Sequence, residues 1–343
     1  MKALVIGGNR FLGHELALRL VAGGHAVTLF NRGTLQDALG DRVERLHGDR
    51  TTGDFERLLT GRHFEAAIDF AAFDADDGRR AAAVLGGRVG HYVAISTGQV
   101  YLVRSGCPRP ARESDYDGPL VERPEDAFDR GQWDYGVKKR GLEDELGRAW
   151  DAECFPATRL RIPMVSGERD HFRRIERYLW RLVDGGPLLL PGGGEHTTRH
   201  VYSGSVVGAI LRLLGNAASF GRAYNLAQDE TPTLRELVTP LAAALGAEPR
   251  FVDVSHDAVR AAGLDPLALS PFSGRWMSFV DPSLAKAELG FRHEPLARYL
   301  DKIVTCFLAH PPQEPPPGYE RRAIERQLAV DGLPRAEQDH GHD

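Results

Sequence analysis

Lys2-Ala3-Leu4-Val5-Ile6-Gly7-Gly8-Asn9-Arg10-Phe11-Leu12-Gly13 opens the chain with a short apolar run that breaks into glycines, then resumes at helical spacing through Leu12, Leu16 and Leu20. The pattern predicts strand, tight turn and helix. Glycines at such a turn let the backbone approach a pyrophosphate, and open amides at the helix N-terminus then face the anion. Gly7, Gly8 and Gly13 take those roles, and Asn9, Arg10, Phe11 and Leu12 complete the expected dinucleotide-binding turn. A second apolar run, Ala26-Val27-Thr28-Leu29-Phe30, follows where a βαβ unit places its next strand. That context favours a nucleotide turn over an ordinary glycine-rich one.

The residues after the second strand bear on which dinucleotide is held. NAD sites carry an acidic residue there for the ribose 2'-hydroxyl, whereas an arginine suits a 2'-phosphate. This chain has Asn31-Arg32, and Arg10 adds a second guanidinium. NADP is therefore the expected cofactor, with NAD as the alternative if both arginines are merely solvated. Asp49, in Leu46-His47-Gly48-Asp49, is placed to accept from the adenine amino group, its competing reading being an exposed loop aspartate.

Further along, Trp133-Asp134-Tyr135-Gly136-Val137-Lys138-Lys139 sets a phenol and an ammonium one helical turn apart on a shared face. A free phenol has a pKa near ~10 and needs a nearby positive charge to exchange protons at neutral pH. Lys139 is expected to supply that charge and lower the tyrosine pKa. Two such residues on a solvated helix are common, so the preceding nucleotide turn carries much of the weight.

In order and spacing these landmarks resemble the extended short-chain dehydrogenase/reductase superfamily, the NAD(P)-dependent epimerases, dehydratases and reductases that include many sugar-nucleotide enzymes. The resemblance spans about residues 1 to 300 and includes Asp69-Phe70-Ala71-Ala72 and Ile95-Ser96-Thr97-Gly98-Gln99-Val100-Tyr101. It implies a catalytic trio of Thr97, Tyr135 and Lys139. Ala71, Ala72 and Ser96, with Tyr135 and Lys139, would touch the cofactor. Dehydratases of the group place Asp-Glu directly after the catalytic threonine, where this chain has Gly98 and Gln99; neither titrates near neutrality, so reduction or epimerisation remains. Sugar-nucleotide members carry an asparagine where this chain has Met164, and a thioether cannot donate to a pyrophosphate. Arg199 matches a position at which family arginines contact substrate phosphate, and Ser205 replaces a family aspartate. Arg275 resembles a feature of a subgroup with Gly-Gly-x-Arg-Phe starts that includes chloroplast stem-loop-binding proteins. Gln99, Met164, Arg199 and Arg275 are the expected substrate contacts.

The fold class expected is α/β, a Rossmann-type doubly wound parallel sheet with a smaller C-terminal substrate-binding domain. Residues 1–163 and about 199–227 form the dinucleotide domain in this reading, about 164–198 and 228–310 the substrate domain, and 311–343 a Pro-rich, partly disordered tail. That tail leaves the compact fold at Pro311, with one docking helix allowed over Tyr319 to Leu328. Lys+Arg number 43 against Asp+Glu 48, for a net charge of -5, which argues against nucleic acid as the main partner. Arg173, Arg174, Arg177 and Arg181 fall at helical spacing and read as a solvated face. Three cysteines show no metal spacing, and the tail histidines His340 and His342 alone are weak ligands, so no metal is expected. The absence of a signal peptide and of an apolar spanning stretch predicts a cytoplasmic protein with no membrane partner. Its partner is a small-molecule substrate, with a homodimer left open. The functional expectation is an NAD(P)-dependent oxidoreductase, a reductase or epimerase acting on a sugar, sugar nucleotide or similar polar metabolite. A non-catalytic dinucleotide-binding regulator or RNA-binding protein on the same fold is the alternative.

Overall fold

Strands of alternating core faces, most of them followed by a helix, build the N-terminal half. The computed structural model describes residues 1–331. In chain order come β1 (Lys2–Ile6), α1 (Phe11–Ala22), β2 (Ala26–Asn31), β3 (Val43–His47), α2 (Asp54–Leu59), β4 (Ala66–Asp69), α3 (Ala75–Leu85) and β5 (Tyr92–Thr97). Then follow α4 (Gln99–Leu102), α5 (Ala127–Glu153), β6 (Ala157–Ile162), β7 (Met164–Ser166), α6 (Glu176–Val183), β8 (Leu188–Pro191) and β9 (His200–Tyr202). The remainder is α7 (Ser203–Leu213), β10 (Ala223–Asn225), α8 (Leu234–Leu245), β11 (Phe251–Val254), α9 (His256–Ala261), α10 (Pro266–Leu269), α11 (Ser283–Leu289), α12 (Leu296–Ala309) and α13 (Arg322–Asp331).

Seven strands form one parallel sheet in the order β10-β6-β5-β4-β1-β2-β3. This is the doubly wound arrangement, whose ligand crevice lies at the carboxyl ends of the strands. Both faces are covered, as a parallel sheet requires. Ala3 and Val5 of β1 join Leu16 and Leu20 of α1 and Val206 and Ile210 of α7 in one core. Leu4 and Ile6 point the other way, into a core with Phe55 of α2, Leu85 of α3 and Leu142 and Leu146 of α5.

The described residues divide into two compact units, residues 1–171, 199–229 and 276–295 in the first and 172–198, 230–275 and the segment from 296 onward in the second. The sequence reading assigns 276–295 to the substrate domain and begins that domain at 164. Instead, Val280 forms a bridge with Ala111, and β7 pairs with β9, so both segments belong to the sheet-bearing unit. In the second unit β8 pairs in parallel with β11 over a small core of Leu189, Val252, Val259 and Leu269. Ala329 of α13 joins that core, so the chain does not leave the compact fold at Pro311. The expected docking helix runs over Arg322–Asp331, after a short 3-10 turn at Tyr319–Arg321. His340 and His342 lie outside the described residues.

The arginine cluster at the start of and along α6 is not a solvated face. Arg181 is 1% exposed and makes a two-point ion pair with buried Glu325 of α13, with N–O distances of 2.5 and 2.8 Å. Arg173 pairs with Glu176 and donates to the carbonyls of Glu314 and Pro315, while Arg177 donates to those of Ala268 and Pro317. These guanidinium groups hold the C-terminal segment in place within the second unit.

Candidate active site

Gly7, Asn9, Arg10, Asn31, Arg32, Asp49 and Ala71 line a cleft of about 760 Å³ at the carboxyl ends of β1, β2 and β4. The turn is pinned to the loop after β2: Asn31 Nδ2 donates to Asn9 Oδ1 at 2.6 Å, and Asn9 Nδ2 donates to the Leu35 carbonyl at 2.8 Å. A Cβ on Gly13 would lie 2.7 Å from the Gly7 carbonyl oxygen, so the first turn of α1 presses on the strand end in a way only glycine allows. Arg10 enters α1 in an extended conformation with no side-chain cap, which leaves the first amides of the helix open. Phe11 adopts φ 42°, a left-handed conformation that is uncommon outside glycine. Leu12 is buried in the core and contributes through its backbone position. Open amides, a close-packed glycine and a large cleft suit a dinucleotide.

Neither Arg10 nor Arg32 has a hydrogen-bond or ion-pair partner among the described residues, and both face the cleft. Asp49 lies there too, its Oδ1 accepting from the Thr51 amide at 2.8 Å and the Thr51 hydroxyl at 2.7 Å. Those bonds, and then the charge of Arg32, hold its carboxyl below the ordinary range. Arg50, which the sequence reading passes over, is buried beside it. Its guanidinium bonds Asp69 at 2.7 Å and Asp77 at 2.8 Å, and Asp69 also accepts from the amides of Ala71 and Ala72. This network sets the loop after β4 at the cleft wall. A charged residue after Asp49 and a lone aspartate ending β4 were the available signals.

Thr97 ends β5, and its hydroxyl accepts from the Gln99 amide at 3.2 Å. Tyr135 on α5 is half-buried and close to Thr97, with the Phe73 ring 5.7 Å away. Burial pushes the Tyr135 phenol up, against the smaller opposing effect of Thr97. The expected lowering by Lys139 is not found. Lys139 Nζ is turned to the carbonyls of Ala72 at 2.6 Å and Ile95 at 3.0 Å, and burial brings its own pKa down to about 8. Lys139 therefore ties α5 to the ends of β4 and β5. One turn on, Glu143 makes a buried pair with Arg161 at 2.7 Å. The i, i+4 spacing of Lys139 and Glu143 on α5 suits a pair within the helix, whereas Glu143 is taken by Arg161 of β6, a partner that no local spacing indicates.

The remaining predicted residues are less uniformly placed. The Ser96 hydroxyl donates to Glu143 at 2.5 Å, within the buried network rather than toward the cleft. Gln99 Nε2 bonds Gln132 Oε1 at 3.1 Å. Met164 begins β7, half-buried. Arg199 donates to the carbonyls of Val280 at 3.0 Å and Asp229 at 3.2 Å, which accounts for much of its donor capacity. Ser205 Oγ accepts from the Glu294 amide at 2.9 Å. Arg275 is exposed and belongs to the second unit.

The sequence profile of the NAD dependent epimerase/dehydratase family matches residues 3–227. The chain belongs to that family. Its members are NAD-dependent enzymes, and the seven-stranded sheet found here is their fold. Among curated relatives, the chloroplast stem-loop binding protein of 41 kDa b from Arabidopsis thaliana is 26% identical over 267 residues, covering 73% of this chain and 65% of that one. The chain thus aligns with just under two thirds of that relative's length. A 2-alkyl-3-oxoalkanoate reductase from Stenotrophomonas maltophilia is 28% identical over 262 residues, covering 72% of this chain and 76% of the relative. Among solved structures, a dTDP-glucose 4,6-dehydratase from Streptomyces venezuelae, with NAD and TYD bound, has a TM-score of 0.69 at 21% identity, covering 90% of this chain and 98% of that one. This last likeness is one of fold. Among the described residues no helix is long and apolar enough to cross a membrane.

Proposed function

We propose that this family member is a reductase acting on the keto carbon of a sugar, sugar nucleotide or similarly polar metabolite, with NADP as its preferred dinucleotide. Epimerisation at the same carbon is the second chemistry open to the site. The observation that carries the reading is Tyr135, a half-buried phenol close to Thr97 and raised by burial above its ordinary range. A protonated phenol is a proton donor, which is what a ketone needs as it becomes an alcohol.

The glycine turn, Asn31, Arg32 and Asp49 would hold the dinucleotide, which supplies the hydride when bound. Tyr135 then gives its hydroxyl proton to the substrate oxygen. Thr97 hydrogen-bonds the same oxygen as negative charge develops, the role of a preorganised oxyanion donor. Lys139 acts through position and charge, fixing α5 against β4 and β5. The free guanidinium groups of Arg10 and Arg32 support NADP over NAD. Gly98 and Gln99 supply no acid or base for removing water. The name of the Stenotrophomonas relative, an oxoalkanoate reductase, supports reduction at an oxo carbon.

The test is Tyr135→Phe, which removes the donor alone. Turnover should fall by about 100-fold or more, the usual worth of general acid catalysis, while dinucleotide affinity stays within about twofold. Retention of more than about a tenth of the activity would assign the proton transfer to another group. The stem-loop binding protein among the relatives motivates a second reading, RNA binding. Gel-shift titration with stem-loop RNA at physiological salt separates the two, since an RNA binder would show salt-dependent complexes that Tyr135→Phe leaves intact.

A further inference from the structure

A second recess, of about 460 Å³, adjoins the Asn9–Arg10 turn, and its wall includes Arg10, Phe11, His14, Asp37, Arg169 and His171. It shares Asn9 and Arg10 with the dinucleotide cleft but contains none of Asn31, Arg32 or Asp49. His14 is only 5% exposed, and neither ring nitrogen has a hydrogen-bond partner among the described residues. A buried imidazole with two unpaired polar atoms costs free energy that a ligand would recover. Arg10 and Arg169 are also without partners among the described residues, while the acid in the wall, Asp37, is already neutralised by Arg45 at 2.6 Å.

From these observations we infer that the recess is a second anion site, built to take the phosphate group of a small molecule. Arg169 would supply charge, and His14 a buried hydrogen-bond donor. Inorganic phosphate and a phosphate monoester share this chemistry, and the recess volume admits the larger of the two. His14 stands low against its usual range through burial first and then through Arg169, with Asp37 opposing. An anion set among Arg10, Arg169 and His171 would offset the Arg169 repulsion and favour the imidazolium. Phosphate binding should therefore take up a proton and tighten as pH falls from 8 toward 6. The groups facing His14 in this linkage are Arg10, Arg169, His171 and the Asp37–Arg45 pair.

The experiment is calorimetric titration of the full chain with inorganic phosphate and with glycerol 3-phosphate, each with and without saturating NADP, in buffers of differing ionisation enthalpy. Saturable binding with proton uptake, persisting in the presence of NADP, is expected. A tighter monoester would identify a metabolite as the source, and equal affinities would identify free phosphate. Arg169→Ala, at an exposed position, should weaken phosphate about tenfold, the loss of one charge-assisted contact, with NADP affinity unchanged as a check on folding. Imidazole 15N signals should show His14 becoming protonated with phosphate in the wild type and far less so in Arg169→Ala. No saturable binding, simple competition between phosphate and NADP, or an Arg169→Ala variant that binds like wild type would overturn the inference. Loss of the NADP preference alone would bear only on the proposed function.

Discussion

Tyr135, Thr97 and Lys139 meet where β4, β5 and α5 converge, but they divide the labour differently from the sequence expectation. The phenol is raised by burial rather than lowered by its neighbour, and the ammonium is directed at the Ala72 and Ile95 carbonyls. A phenol held protonated favours proton donation, so the direction of chemistry follows from environment as much as from residue type. Lys139 loses its proton near pH 8. Below that value the charge is present, and above it the anchor on the two carbonyls weakens. The rate of ketone reduction should accordingly be flat from pH 6 to about 7.5 and fall above about pH 8. A pH-rate profile under saturating substrate checks this, and a rate that climbs through pH 9 would mean that a tyrosinate base is the active form. Gly98 shows a second residue-level constraint. A Cβ there would stand 2.7 Å from Ser278 Cβ, so the position at which dehydratases carry an acid is closed by the returning segment.

At the scale of elements, the β1–α1 turn and the end of β2 act as one unit, since Asn9 and Asn31 bind each other and the Leu35 carbonyl lies beyond them. That linkage fixes the backbone and leaves Arg32 free to meet a ligand. Arg32→Ala should therefore weaken NADP by about 1.5 to 3 kcal/mol, the range for hydrogen bonds to charged groups, and barely change NAD. Titration calorimetry with both dinucleotides decides it. Equal losses for the two would show that Arg32 supports the turn and does not read a 2'-phosphate. α6 and α13 show the converse case, in which arginines that look available in sequence are consumed by Glu325, Glu176 and backbone carbonyls.

Across the whole molecule, what the sequence revealed was what depends on local period and turn chemistry. The β1 run, the glycines and the Leu12-Leu16-Leu20 spacing are local signals, and they lead to the seven-stranded sheet. Tyr135 and Lys139 were legible because helical spacing places them together, and Thr97 because it follows a buried strand. Residues 276–295 were not, since their return to the first unit rests on contacts such as Val280 with Ala111 that no local pattern encodes. The Arg50-Asp69-Asp77 network was missed for the same reason, its members being separated in sequence and joined only by the sheet. The two unpaired nitrogens of His14 are likewise a property of packing. In the proposed reaction hydride goes to a keto carbon and a proton to its oxygen, with no loss of water. Mass spectrometry of products from a panel of nucleotide sugars and polar ketones, incubated with NADPH, distinguishes the two outcomes. A product heavier than its substrate by two hydrogens, with matching NADPH oxidation, is expected, and a product lighter by one water would overturn the proposed reduction.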